Sequence, residues 1–157
     1  MPAVRDRRLR EIDLGHWQGL TSDEARRRFP AEHAAWRRGE DVRRGGGETY
    51  AEAGARAATC LRELVAELPG GSTALAVTHG GTARGAIGVL LELPAAHWWR
   101  LAPLGNACWS MLIEGERGWR LGRHNAAAGE GAVAGAHDLG AAPAYLPLTS
   151  PDVEPVK

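Results

Sequence analysis

Lysine is almost missing from this chain of 157 residues, which carries one lysine, Lys157, against 18 arginines. Acidic and basic side chains number 19 each, so the formal net charge is zero. The net positive field that draws a protein to nucleic acid or to an anionic membrane is therefore absent. The arginine excess, accompanied by abundant alanine, reads as a coding bias rather than a binding signal. Cysteine is scarce too. Cys60 and Cys108 stand far apart with no Cys-x-x-Cys or Cys-x-x-x-His spacing, which excludes a zinc site and a disulfide framework. No apolar run approaches the ~20 residues that cross a bilayer. The stretch MPAVRDRRLREID is charged where a secretory signal needs an apolar segment. The expectation is a cytoplasmic protein with no metal, no cofactor and no nucleic-acid or membrane partner. Phenylalanine occurs once and tryptophan six times, so indoles carry most of the aromatic surface, in a core or a pocket wall.

What is present suits one domain with a tail: 44% of residues are hydrophobic, enough for a core. Val4 to Ile12 is too charged for a central strand and reads as a short edge strand. Thr21 and Glu24 have capping-box spacing, which predicts a helix from about Ser22 to Phe29, stopped by Pro30. A second short helix fits Ala31 to Arg38. Gly45-Gly46-Gly47 marks a loop. Thr49 and Glu52 form another capping box, and Ala53, Ala57, Cys60, Leu61, Leu64 and Leu68 follow at helical spacing. That helix ends at Pro69-Gly70-Gly71. Ala74 to Thr78 is a short apolar run that reads as a buried parallel strand. A helix starts near Thr82, Ala96 to Leu101 is a short helix, and Ala107 to Ile113 with Trp119 to His124 forms a hairpin. From Ala126 onward Ala, Gly and Pro dominate, with prolines at 143, 147, 151 and 155, and a disordered or loosely attached tail over 126–157 is expected. Helices between strands imply right-handed crossovers. The predicted fold is three-layer α/β/α, with a mostly parallel sheet and an antiparallel edge hairpin.

Three pieces carry chemistry. A buried strand running into His79-Gly80-Gly81 and then a helix places His79 at the carboxyl edge of a parallel sheet, where open α/β folds hold ligands. The helix start offers N–H groups and a positive dipole end that suit a phosphate, and glycine lets the backbone approach an anion. A histidine that only fills a turn fits that pattern equally. Glu11 precedes a loop bearing Gly15, Trp17 and Gly19. Beside an aromatic wall and a bound dianion, its carboxyl would be pushed toward protonation and could serve a leaving alkoxide as general acid. Without such neighbours it is a surface glutamate in an Arg-rich segment. Glu48 and Thr49, at the start of the long helix, suit either capping and dipole chemistry or substrate contact.

Together these pieces resemble the histidine phosphatase superfamily, the phosphoglycerate mutase-like proteins. Leu9, Glu11, Gly15, Trp17, Gln18 and Gly19 match Leu-x-Glu-x-x-x-Gly-x-Trp-[Glu/Gln]-Gly. Gly47-Glu48-Thr49 matches Gly-Glu-Ser, with threonine for serine. Thr78-His79-Gly80-Gly81 matches the second histidine motif. The likeness covers about residues 4 to 125. It implies that Glu11 is the proton donor and His79 the second phosphate-pocket histidine. The backbone of Gly80 then helps to bind phosphate, Glu48 and Thr49 lie at the substrate, and Asn106 shapes the pocket. It also implies transfer of a phosphoryl group from a monoester to a histidine nitrogen and then to water, without metal. The partner is a phosphorylated small molecule, with a homodimer left open.

The sequence departs from that family in one respect. The family's nucleophile lies in an Arg-His-Gly motif ahead of Leu-x-Glu, and only eight residues precede Leu9 here. Arg123-His124-Asn125 lacks the glycine and follows the last strand. The expectation is a histidine-phosphatase-like domain over 1–125 lacking its N-terminal strands, and an inactive, marginally stable polypeptide. A non-catalytic phosphate-binding or regulatory relative is the alternative. An unrelated α/β binding module, in which Glu11 and His79 would not face one pocket, is a third reading.

Overall fold

The computed structural model of the chain describes residues 4–128. Both capping boxes form. The Thr21 hydroxyl accepts the Glu24 N–H at 3.3 Å while the Glu24 carboxylate accepts the Thr21 N–H at 2.8 Å. This pair opens α1 (Ser22–Arg28). Pro30 is the first residue of α2 (Pro30–Arg37), where its missing N–H has no intrahelical role. At α3 (Tyr50–Ala66), Thr49 accepts the Glu52 N–H at 3.1 Å and Glu52 accepts the Thr49 N–H at 3.0 Å. Asp41 adds a second cap, accepting the N–H groups of Tyr50 and Ala51 at 2.6 and 3.0 Å. Four unpaired amides open any helix, so α3 begins unusually well satisfied.

The inner face of α3 is Ala53, Gly54, Ala57, Ala58 and Cys60, all buried. It lies on α4 (Gly80–Leu90), whose buried residues include Thr82, Ala83, Gly85, Ala86, Ile87 and Leu90. The helices touch backbone to backbone. A Cβ on Gly54 would fall 2.5 Å from the Gly85 carbonyl, and one on Gly85 would fall 2.6 Å from the Tyr50 carbonyl. Small residues therefore set the interaxial distance, and no larger side chain fits at that crossing. A 3-10 segment, Ala95–Arg100, follows and lays Trp98 over α4, with its indole N–H donating to the Leu93 carbonyl at 2.9 Å. The chain then forms an antiparallel hairpin of β1 (Trp109–Gly115) and β2 (Gly118–Ala126), pairing Ile113 with Arg120 and Glu114 with Trp119.

Two expected strands take other forms. Val4 to Ile12 contains a 3-10 turn, Arg7–Leu9, because the Asp6 carboxylate accepts the Arg8 N–H at 2.8 Å and closes the chain locally. Ala74 to Thr78 belongs to no ladder, and Leu75 and Val77 are 85% and 80% exposed. A strand exists through its neighbours' hydrogen bonds, and among the described residues no strand pairs with this one. The sheet of the described residues is the antiparallel pair, and the chain is an α/β fold rich in helix. Of the tail expected over 126–157, only 126–128 are described, with Ala126 closing β2.

Candidate active site

The first turn of α4 is the focus. His79 is its N-cap residue, in extended backbone conformation, and its exposed side chain makes no capping bond. The Glu11 carboxylate lies against the next two residues. Its Oε2 accepts the Gly81 N–H at 3.2 Å, and its Oε1 accepts the Thr82 N–H at 2.9 Å and the Ile12 N–H at 2.8 Å. The Thr82 hydroxyl, fully buried, lies 2.8 Å from the Arg10 carbonyl and 3.1 Å from Glu11 Oε1, so one proton serves two acceptors. Gly81 is needed for this approach, since a Cβ there would fall 2.9 Å from Glu11 Oε1 and 2.9 Å from the Ile12 side chain. A carboxylate at a helix N-terminus sits where the backbone dipole favours negative charge. The sequence suggested that this helix start would offer its amides to a phosphate. The amides of Gly81 and Thr82 instead serve Glu11.

Glu11 is placed by a clamp that the sequence did not reveal. The Arg56 guanidinium, on α3, reaches under the 8–11 segment and donates to the carbonyls of Arg8 at 2.6 Å, Arg10 at 3.0 Å and Glu11 at 3.1 Å. Its other edge grips Glu48 through Nε to Oε1 and Nη2 to Oε2, both 2.8 Å, a bidentate pair in which both side chains are four-fifths buried. Glu48 also accepts the Asp13 N–H at 2.9 Å and returns its own N–H to the Asp13 carbonyl at 2.7 Å. The Arg56 bonds, with help from the Asp13 N–H, hold the Glu48 carboxyl down at about 2. Glu48 and Thr49 were expected beside the substrate. Their bonds describe the other role the sequence allowed: Glu48 ties the Asp13 loop to α3, and Thr49 caps that helix. The signal that could have found the clamp is the spacing Glu48 to Arg56, eight residues apart across the first turns of α3.

The loop before β1 borders the same helix end. A Cβ on Gly80 would lie 3.4 Å from the Leu104 carbonyl, and the Gly105 N–H donates to the Asn125 side chain at 2.8 Å. Asn106 follows in that loop with its side chain exposed. Glu11, His79, Gly80 and the Asn106 loop thus gather around the start of α4, while Glu48 and Thr49 lie within the α3 clamp. Among the described residues, no three His, Cys, Asp or Glu side chains cluster to hold a metal ion, and no helix is long and apolar enough to cross a membrane.

The chain is 37% identical over 139 residues to a glucosyl-3-phosphoglycerate phosphatase of Mycobacterium tuberculosis, covering 78% of this chain and 62% of the relative. It is 39% identical over 98 residues to a 2,3-bisphosphoglycerate-dependent phosphoglycerate mutase of Methylobacterium radiotolerans, covering 61% of this chain and 46% of that protein. A solved structure of a mycobacterial glucosyl-3-phosphoglycerate phosphatase with inorganic phosphate superposes with a TM-score of 0.70 at 37% identity, over 78% of this chain and 64% of that one. The chain thus spans about three-fifths of the phosphatases it matches. The profile of the histidine phosphatase superfamily (branch 1) matches residues 1–127, and the chain belongs to that superfamily.

Proposed function

We propose that this chain carries the proton-donor and second-histidine half of a phosphomonoester hydrolase site. The observation that carries the reading is the Glu11 carboxylate bound to the Gly81 and Thr82 amides of the helix that His79 caps. His79, exposed at that end, donates to a phosphoryl oxygen, and the Gly80 amide adds a backbone donor. The amides around Glu11 favour its charged form, so a bound dianion must first drive the carboxylate to take a proton from water; that proton then passes to the leaving alkoxide as the ester bond to phosphorus breaks. In the complete reaction the phosphoryl group passes to a histidine nitrogen and then to water. The substrate is a phosphorylated small molecule, a reading supported by relatives named for phosphoglycerate chemistry.

The 157 residues contain no Arg-His-Gly triplet, and by themselves they bind phosphate monoesters without turning them over. The open segment at Ala74 to Thr78 supports this reading. Leu75 and Val77 face outward while Ala76 and Thr78 are half-buried. That is the alternation of a strand with one face packed; the apolar Leu75 and Val77 on its open face suit a strand that a further layer would cover, as in a mostly parallel, three-layer sheet. The test is turnover of p-nitrophenyl phosphate by the 157-residue chain. The expected rate is indistinguishable from buffer, with inorganic phosphate still shifting the Gly80 and His79 resonances. Robust turnover that disappears in His79→Ala overturns the inactivity of the 157 residues alone, and phosphate that leaves Gly80 and His79 unmoved overturns the site.

A further inference from the structure

One cluster of buried donors lies outside the site described above. The 3-10 turns Gly15–Trp17 and Arg44–Gly46 pack together beneath α2. Trp17 stacks on His33 with ring centroids 5.9 Å apart and meets the edge of Trp36 at 6.0 Å. The Arg44 guanidinium lies 4.7 Å from the Tyr50 ring and 5.9 Å from that of Trp36. Arg44 is 3% exposed, yet among the described residues its Nε and Nη2 have no acceptor, and neither has the Trp17 indole N–H. The nearby polar groups are engaged elsewhere. His33 Nε2 pairs with the Ser22 hydroxyl at 3.1 Å, and the Glu32 carboxylate accepts the Gly45 N–H at 2.7 Å.

A buried guanidinium with no ion-pair partner among the described residues is unfavourable, and aromatic faces offset only part of that cost. What the cluster lacks is an acceptor. The two unpartnered nitrogens are neighbours on one edge of the planar guanidinium, where parallel N–H groups match two oxygens of a single planar anion. We propose that the Nε/Nη2 edge of Arg44 is a carboxylate-binding site, with the Trp17 indole, which meets the same Trp36 ring, as its reporter. The carboxylate belongs either to the substrate of the neighbouring site or to a separate small acid. The first source rests on the function proposed above, since the Arg44 loop joins the Glu11 segment through the bond from Glu48 N to the Asp13 carbonyl, 2.7 Å. The binding site itself does not rest on it.

The experiment is a titration of the ¹⁵N-labelled 157-residue chain with D-glycerate, inorganic phosphate and 3-phosphoglycerate, following the Trp17 indole N–H and the Gly80 amide. Glycerate is expected to shift the indole saturably. Arg44→Met should weaken that binding at least tenfold, and Arg44→Lys, which keeps the charge but not the paired edge, should fall between. If 3-phosphoglycerate moves both probes with one affinity, the carboxylate comes from the substrate. If it moves Gly80 alone while glycerate moves the indole, the site serves a separate acid. Phosphate that fails to move Gly80 sinks the proposed function and leaves the Arg44 site standing. The site is overturned if neither carboxylate moves the indole, or if phosphate moves it as strongly as glycerate. Unchanged binding in Arg44→Met also overturns it. Should Arg44→Met not fold, wild-type affinity in Arg44→Lys has the same consequence.

Discussion

The two flanks of the α4 N-terminus are held by different kinds of interaction. On one flank the 8–13 segment is fastened at nearly every backbone group: Arg56 takes three of its carbonyls, Glu48 takes an N–H and gives one back, and Thr82 bonds the Arg10 carbonyl. On the other flank the residues leading into His79 have, among the described residues, one side-chain anchor, the Thr78 hydroxyl on the Leu9 carbonyl at 2.7 Å, and no ladder. The first flank is assembled from caps and charge-assisted bonds supplied by helices that fold around it. The second is of the kind that needs a neighbouring strand, because backbone groups and apolar side chains on an extended segment are satisfied only from beside it. Glu11 is therefore positioned, while the approach to His79 stays open.

The largest expected effect comes from removing the platform under both flanks. Gly85→Val places methyl groups against the backbone of α3, where the Tyr50 carbonyl and Gly54 leave no room. Overpacking against side chains costs about 1–3 kcal/mol, and here the obstacle is main chain. The loss should exceed about 3 kcal/mol and abolish the cooperative urea transition followed by circular dichroism. A variant that melts like the parent would mean that the two helices are not in backbone contact.

A smaller effect isolates the fastened flank. Glu48→Gln breaks the bidentate pair and leaves the Arg56 guanidinium with carbonyls alone, a cost of about 2 kcal/mol for a charged hydrogen-bonded partner lost from a mostly buried place. The sign with pH follows from the lowered carboxyl. A group held at about 2 in the folded chain, against an ordinary value of 4.5, contributes stability that is complete above 4.5. It is lost as the pH falls toward 2. The stability gap between parent and Glu48→Gln should be full at pH 6 and close below pH 4.5. A gap that ignores pH would show that Glu48 works by shape rather than charge.

How much could be read beforehand divides along the same line. Both capping boxes, the Pro30 break and the glycine-bounded hairpin were legible, because each is a local bargain among residues three or four apart. The pairing of Glu11 with His79 was implied by the resemblance that three motifs in order carry, since spacing alone left Glu11 a surface glutamate. Arg56 was hidden because a charged residue on a helix of alanines reads as solvated surface until the 8–11 segment is laid over it. Arg44 was one of two adjacent arginines in a glycine loop, with nothing to say that Arg43 turns to Glu52 and the Gly47 carbonyl while Arg44 turns inward. In Val4 to Ile12 the short-range bond from Asp6 to Arg8 outweighed any preference for extension. Ala74 to Thr78 shows the opposite limit: composition announces that a segment wants burial, but not which neighbour provides it.

The smallest expected effect bears on that open flank directly. Leu75 and Val77 are each worth about 2 kcal/mol when fully buried, but a side chain already in water has nothing to lose on replacement. The double substitution Leu75→Ser with Val77→Ser should therefore change the stability of the 157-residue chain by no more than about 0.5 kcal/mol. Its clearest consequence should be in association: with an exposed apolar edge removed, light scattering at high concentration should fall. The comparison fails if the double variant loses several kcal/mol. These two side chains would then be packed in solution against something that the described residues do not supply, and the loss should depend on protein concentration if that something is a second copy.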